Sequence, residues 1–271
     1  MKSIKFKVVA GISAATIALS SCSGVEETAS SEPKVFSVEQ VLTMVAKENA
    51  IARTTYTKRI VGGLKTQGLK FHEDWEDDDV EAGPLPALFL RGASNYISRK
   101  SNVPLGLYLG SDSPINASNK FEGKQAELFE KIKSDQKPQF FKETKEDGST
   151  INTAMFADVA KAQPCVTCHN EHPNTAKSDW KLGDVMGATT WQYPEDSLTY
   201  TEAMDVLKAY RDGVTDIYNQ MITEIEGFKE SPKPSIGSQW PSEGYYLPTA
   251  EVFLDSVRKM TSYETMKALM M

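Results

Sequence analysis

The sequence predicts an α+β fold in which short antiparallel strands are flanked by amphipathic helices. Apolar residues recur at helical spacing over about 38–61, and two strand-like runs, 140–145 and 149–159, surround an Asp-Gly turn. The 271 residues are 40% apolar and 25% charged, a balance that allows a sizeable core. The chain is therefore expected to be globular, and neither a disordered polyelectrolyte nor a multi-span membrane protein.

The first helix is predicted over about 38–61. Ser37 and Gln40 have the spacing of a capping box, in which each side chain binds a free backbone N–H at the start of a helix. The glycine pair at 62 and 63 is expected to end this helix, because glycine is a poor helix former.

A second helix is predicted over 87–98, after a Pro-Leu-Pro segment that forces extended chain. A short strand at 105–109 and a third helix at 119–134 follow. The residues of the third helix segment that are expected to point inward are Phe121, Leu128, Phe129 and Ile132.

A hairpin joins the strand-like runs 140–145 and 149–159. Its turn is predicted to be type I′, because Asp147-Gly148 can supply the positive φ values that this turn requires. The segment 185–191 is expected to be the final strand.

The C-terminal third predicts two further helices, at 198–228 and about 249–271, separated by a breaker-rich loop at 229–242. These helices are expected to pack on the same domain. The alternative is that they form a docking surface for a partner.

The first 21 residues are typical of a secretory signal, with three lysines, an apolar run at 8–19 and no acid. The apolar run is too short to span a membrane.

Cys22 follows in the sequence Leu-Ser-Ser-Cys, which resembles the lipobox of bacterial lipoproteins, although a plain secretory signal is the alternative. Acylation of Cys22 predicts a lipid-anchored protein of the bacterial cell envelope, on the periplasmic face. By resemblance to Gram-negative sorting rules, Ser23 in place of Asp favours the outer membrane, a distinction that does not arise in a Gram-positive host.

The charge of the chain argues against a nucleic-acid partner. The formal net charge is −7, and the signal contains three of the lysines. The exported part is thus more acidic still and offers no basic patch for phosphates.

The remaining two cysteines stand in Cys165-Val166-Thr167-Cys168-His169, the C-x-x-C-H spacing of c-type haem attachment. Cys165 and Cys168 are predicted to bond one covalent haem c, and His169 is predicted to be its proximal iron ligand. Three alternatives are a disulfide, a thioredoxin-like redox pair and a zinc site. A disulfide gives His169 no role, a thioredoxin-like pair needs a βαβ unit, and zinc needs about four ligands.

The second axial ligand is open at this point. His172 follows His169 so closely that it shares its side, and it is expected to contact a propionate or cap a turn. His72 is distant in sequence and is the predicted distal ligand, although it stands in an acidic segment where a histidine is often simply solvated. A water-ligated or open site is another possibility, as is a methionine. The candidate methionines are Met44, Met155, Met186 and Met204.

Three segments, 83–87, 165–173 and 179–187, resemble the Tll0287-like haem domain. The resemblance covers roughly 36–193 and implies a PAS-like fold with one c-type haem. Such domains occur as exported proteins and as extracytoplasmic sensors of signalling receptors. Some members use a cysteine of the N-terminal helix as distal ligand, but 38–63 contains no cysteine here. Met186 also stands where relatives often have arginine.

These predictions divide the chain into a signal peptide (1–21), a flexible tether (22–35), a PAS-like c-type haem domain (36–195) and a helical C-terminal extension (196–271).

The favoured function is a membrane-anchored monohaem cytochrome that transfers electrons in the envelope or serves a redox partner protein. The alternative is a haem-based redox or gas sensor that works with a separate signalling partner. An enzyme is not favoured, because three histidines leave few groups for acid–base chemistry.

Overall fold

The computed structural model describes residues 34–270. The predicted signal peptide, Cys22 and most of the tether lie outside the described residues. The α+β prediction, with a long N-terminal helix and a small antiparallel sheet, is confirmed. No helix within 34–270 is both long and apolar enough to cross a membrane.

The described part of the chain alternates helices with strands. Its α-helices are α1 (Val38–Thr55), α2 (Gly62–Lys65), α3 (Pro86–Lys100), α4 (Gly123–Asp135), α5 (Gln163–Glu171), α6 (Tyr200–Gly227) and α7 (Ala250–Met270). Its strands are β1 (Val35–Ser37), β2 (Phe71–His72), β3 (Gly83–Pro84), β4 (Gly106–Gly110), β5 (Gln139–Thr144), β6 (Thr150–Val159), β7 (Val185–Tyr193), β8 (Ser197–Thr199), β9 (Ser235–Gly237) and β10 (Tyr246–Pro248). The strand at 185–191 is therefore not the final one, because three short strands follow it in the described chain.

The capping box at the start of α1 is present. The Ser37 hydroxyl accepts the N–H of Gln40 at 3.3 Å, and Gln40 Oε1 accepts the N–H of Ser37 at 2.9 Å. These bonds satisfy N–H groups that have no partner within the helix, which fixes where α1 begins.

The predicted helix stop at the glycine pair is wrong. A π-helical segment, Tyr56–Val61, continues α1 directly into α2, and Gly62 itself has helical backbone angles. Buried Val61 and Leu64 flank the glycines. Glycine destabilises a helix interior by about 1 kcal/mol per residue relative to alanine. Packing of the Val61 and Leu64 side chains outweighs this cost.

The main sheet has four antiparallel strands in the order β4-β7-β6-β5. The predicted β5–β6 hairpin is present, but its type I′ turn is wrong. Thr144 pairs with Thr150, which leaves a five-residue loop, and the Gly148 N–H donates to the Lys145 carbonyl at 2.9 Å. Gly148 has a φ of 83°, whereas Asp147 is not in the left-handed region. The longer loop therefore needs one left-handed residue and not two.

The two faces of the sheet pack against different helices. On one face, Ala154 and Trp191 belong to the main core, to which α1, α3, α6 and α7 contribute. On the other face, Met155 and Ala188 pack against α4. The predicted inward positions are buried there: Phe121, Leu128, Phe129 and Ile132.

The C-terminal helices belong to the same main core as α1. Val214 and Ile217 of α6 and Phe253 of α7 are buried in it. Gly213 allows α6 to approach α3 closely, because a Cβ at this position would lie 2.7 Å from the Ala93 carbonyl oxygen.

The Glu81 carboxylate joins the loop after β2 to the chain that follows α6. It accepts the backbone N–H groups of Lys229, Glu230 and Ser231, with the Glu230 bond at 2.8 Å. These N–H groups, that of Glu230 foremost, lower the pKa of Glu81 from 4.5 to about 2. Ionised Glu81 therefore stabilises the fold.

We predict a pH dependence from this contact. Because the folded-state pKa of Glu81 lies below its unfolded value, its contribution is complete above pH 4.5 and is lost as the pH falls toward 2. Glu81→Gln should lower the thermal midpoint of unfolding at pH 7. Between pH 4.5 and 2, the midpoint of this variant should fall less steeply with decreasing pH than that of the wild type. The control is Glu76→Gln, at an exposed acid of the same loop. Wild-type midpoints in Glu81→Gln across this range contradict the prediction.

Candidate haem-attachment site

Helix α5 presents the two motif cysteines beside the end of the sheet. Pro164 occupies the first turn, where its missing N–H costs no helical hydrogen bond. Cys165 and Cys168 are three residues apart, so both lie on one face of the helix. Both thiols are free, Cys165 half-buried and Cys168 exposed. The site thus holds two unbonded thiols one turn apart.

The strands around α5 do not form a thioredoxin-like unit. The chain enters α5 from β6 and returns through β7, and these two strands pair antiparallel. A thioredoxin-like redox pair lies in a βαβ unit, whose strands are parallel. This alternative therefore does not fit the fold.

A small apolar cluster holds the first cysteine. Cys165 packs against it, and its members are Ala160, Val166, Trp180 and Met186. The Asn170 side chain ties this cluster to the returning loop: its amide donates to the Trp180 carbonyl at 3.0 Å, and its oxygen accepts the Trp180 N–H at 2.8 Å. The role of Asn170 was missed from the sequence, because no local pattern shows that its partner lies ten residues away.

His169 is half-buried on α5. Burial is the main cause that lowers the pKa of His169 below its ordinary value. Nearby Asp158 acts in the opposite direction, whereas Arg53 and His172 lower the pKa further. The neutral imidazole, which is the form that binds a metal, is therefore favoured at neutral pH.

An ion pair joins the N-terminal helix to the sheet next to His169. Arg53 Nη1 of α1 lies 2.7 Å from Asp158 Oδ2 of β6, and both side chains are one quarter exposed. A β-bulge follows Asp158 directly. The pair places one positive and one negative group near His169.

Two charged residues, Lys65 of α2 and Glu73 directly after β2, lie close enough to the second cysteine to act on its thiol. Although Cys168 is exposed as a residue, partial burial of its thiol raises the pKa of this group; Glu73 raises the pKa further and Lys65 lowers it. A raised pKa keeps Cys168 protonated and limits its reactivity as a free thiol.

His172 ends α5 and caps a turn, as expected. Its Nδ1 accepts the N–H of Asn174 at 3.1 Å, and its Nε2 lies 3.4 Å from Glu73 Oε1. The His172 side chain is 13% exposed. Glu73 thereby brings the segment that follows β2 into contact with the helix that carries the motif.

His72 lies in that segment, immediately before Glu73. Its side chain is 53% exposed, and its Nδ1 accepts the N–H of Asp74 at 3.2 Å. This bond leaves Nε2 as the nitrogen available to a metal. The structure places His72 one residue from a contact with α5, and its role as distal ligand stays a prediction.

The candidate methionines lie in different places. Met44 is buried in the main core, Met204 packs against that core, and Met155 is buried below α4. Met186 shares the small cluster that contacts Cys165. Of the four methionines, Met186 is thus the one that packs in the same cluster as a motif cysteine.

The residues present fit a covalently attached haem. Two free thiols one helical turn apart and a neutral imidazole on the same helix are the groups that attachment needs. Within 34–270, no group of three or more His, Cys, Asp or Glu is arranged to hold a metal ion. Haem iron needs no such group, because the porphyrin supplies four of its ligands.

The fold and the site define an α+β domain with a C-x-x-C-H helix inserted between two antiparallel strands. The family model described as Tll0287-like matches residues 23–194, more than half of the chain. The chain belongs to the Tll0287-like family, and this membership supports a haem-binding domain. No curated protein and no solved structure matches the chain. Helices α6 and α7 lie beyond the matched segment.

Proposed function

We propose that this protein is a membrane-anchored monohaem c-type cytochrome that transfers electrons in the bacterial cell envelope or serves a redox partner protein. The observation that carries the proposal is the placement of Cys165, Cys168 and His169 on α5, with both thiols free. Family membership supports the haem, and the motif supports its covalent attachment.

Each motif residue has a distinct role in this proposal. Cys165 and Cys168 form thioether bonds to the two vinyl groups, and His169 is the proximal iron ligand. A c-type haem supplies one-electron transfer when it is bound. The apolar cluster around Cys165 and the Asn170 bonds keep α5 and the returning loop in one arrangement. Such rigidity favours electron transfer, because little structure has to rearrange with the charge.

The distal ligand in this proposal is His72, with Met186 as the alternative. The loop after His72 carries seven carboxylates within 73–81. Nearby carboxylates stabilise the ferric state, whose charge is one unit higher than that of the ferrous state. We therefore propose a low reduction potential. The carboxylates lower the potential less where solvent and salt screen their charge.

The exposure of His72 also favours the second function, a haem-based redox or gas sensor with a separate signalling partner. A ligand on a side chain that is 53% exposed can exchange for an external molecule. A carrier keeps both axial ligands, whereas a sensor gives one of them up when it binds its signal.

Membrane attachment is proposed from the sequence before the described residues. Cys22 follows the apolar run of the signal directly, and the tether after it is small, polar and acidic. Acyl chains on Cys22 would hold the protein at the periplasmic face of an envelope membrane, the outer membrane being favoured. This arrangement places the haem domain near membrane redox proteins.

Covalent attachment can be tested by the pyridine haemochrome of the protein matured in a host that makes c-type cytochromes. We expect the wild-type spectrum to show two saturated vinyl groups, and acid–acetone to leave the pigment on the protein. Cys165→Ser and Cys168→Ser should each shift the spectrum to that of one saturated vinyl group. Free haem in the acid–acetone extract of the wild type contradicts the proposal.

Anchoring can be tested by fractionation of cells that express the wild type and Cys22→Ser. The wild type should be in the membrane fraction, with an acylated N-terminus by mass spectrometry. Cys22→Ser should move to the soluble envelope fraction with its haem content unchanged, because Cys22 lies outside the haem domain. Soluble wild type with an unmodified N-terminus excludes the anchor.

A further inference from the structure

The acidic loop 73–81 is fixed at both ends. At its far end, Glu81 accepts three successive backbone N–H groups after α6. At its near end, Glu73 Oε1 lies 3.4 Å from His172 Nε2 on α5. Between the two ends, the Trp75 side chain is buried in the main core. The near end is thus a defined contact between the loop and the motif helix.

His172 is well placed to hold this contact. Its Nδ1 accepts the Asn174 N–H, which leaves Nε2 as the ring nitrogen on the side of Glu73, 3.4 Å from Oε1 of that carboxylate. The ring is 13% exposed and has its orientation set by the Asn174 bond. Glu73 therefore meets a rigid partner and not a mobile surface side chain.

His72 depends on few other contacts for its position. The strand that carries it has two residues, paired with Gly83 and Pro84. The bond from the Asp74 N–H orients the ring but is local, and it moves with the loop. Among the described contacts, the one between Glu73 and His172 joins this segment directly to the motif helix.

We propose that Glu73 is a positioning residue for the distal side of the haem: its contact with His172 holds the His72 segment against α5 and slows exchange of the distal ligand. The inference rests on the proposed function and deepens it, because it names the contact that controls access to the iron. Glu73 itself does not ligate iron. Its effect passes through the main chain of the adjacent His72.

The test measures how fast imidazole, a small neutral ligand at pH 8, displaces the distal ligand of the ferric holoprotein in a stopped-flow spectrometer. Glu73 is 52% exposed, and a contact made by so exposed a carboxylate typically changes an equilibrium by about two- to fivefold. Glu73→Ala should therefore speed displacement about two- to fivefold and raise the high-spin fraction in the electron paramagnetic resonance spectrum. His172→Ala should have a similar effect.

A double variant separates this role from two unrelated effects. Glu73→Ala combined with His172→Ala should be no faster than either single variant, because both remove the same contact. Glu76→Ala removes one charge from the same loop at an exposed position and should exchange at the wild-type rate. His72→Ala provides the reference in which the distal ligand is absent, with a high-spin ferric spectrum.

Three results overturn the inference: a wild-type exchange rate in Glu73→Ala, additive effects in the double variant, or a low-spin spectrum in His72→Ala. These results are distinct from a failure of the proposed function. Absence of covalent haem from the wild type overturns the proposed function itself, whereas covalent haem with unchanged exchange rates overturns the inference alone.

Discussion

The antiparallel pairing of β6 with β7 is the constraint on which the candidate site depends. The chain leaves the sheet after Val159 and returns at Val185, and these two residues are Cα partners in the register. Beyond them, the Ala160 N–H donates to the Asp184 carbonyl at 2.9 Å, and the Gly183 N–H donates to the Ala160 carbonyl at 3.0 Å. The whole segment that carries α5 is therefore closed at its base, which removes much of its conformational freedom.

Three sets of contacts then orient α5 on this base. The apolar cluster around Trp180 holds the Cys165 side, the ion pair between Arg53 and Asp158 lies near His169, and Glu73 contacts His172. Each set links the motif to a different part of the chain. The thiols and the imidazole are thus held by the fold itself, which is the preorganisation that a cofactor site requires.

Local features of the fold were predictable from the sequence, because local chemistry determines them. The start of α1 follows from Ser37 and Gln40, and the β5–β6 hairpin follows from two strand-like runs around Asp147-Gly148. The end of the first helix was not predictable, since buried Val61 and Leu64 override the glycines between them. The type of turn also depended on the pairing of Thr144 with Thr150, which no local pattern fixes.

The site shows the same division between local and distant contacts. Cys165, Cys168 and His169 were recognisable because their spacing is itself the chemical requirement. The contact between Glu73 and His172 joins residues 99 positions apart, and the one between Arg53 and Asp158 joins residues 105 positions apart. Single residues of these types are common on protein surfaces, so one sequence gives no signal that pairs them.

Mass spectrometry of the intact, matured protein and of its proteolytic peptides tests the central claim most directly. The account predicts that the protein carries the mass of one haem after denaturation, and that the added mass lies on the peptide that contains Cys165 and Cys168. An unmodified peptide with two free thiols, or a disulfide between Cys165 and Cys168, contradicts the account.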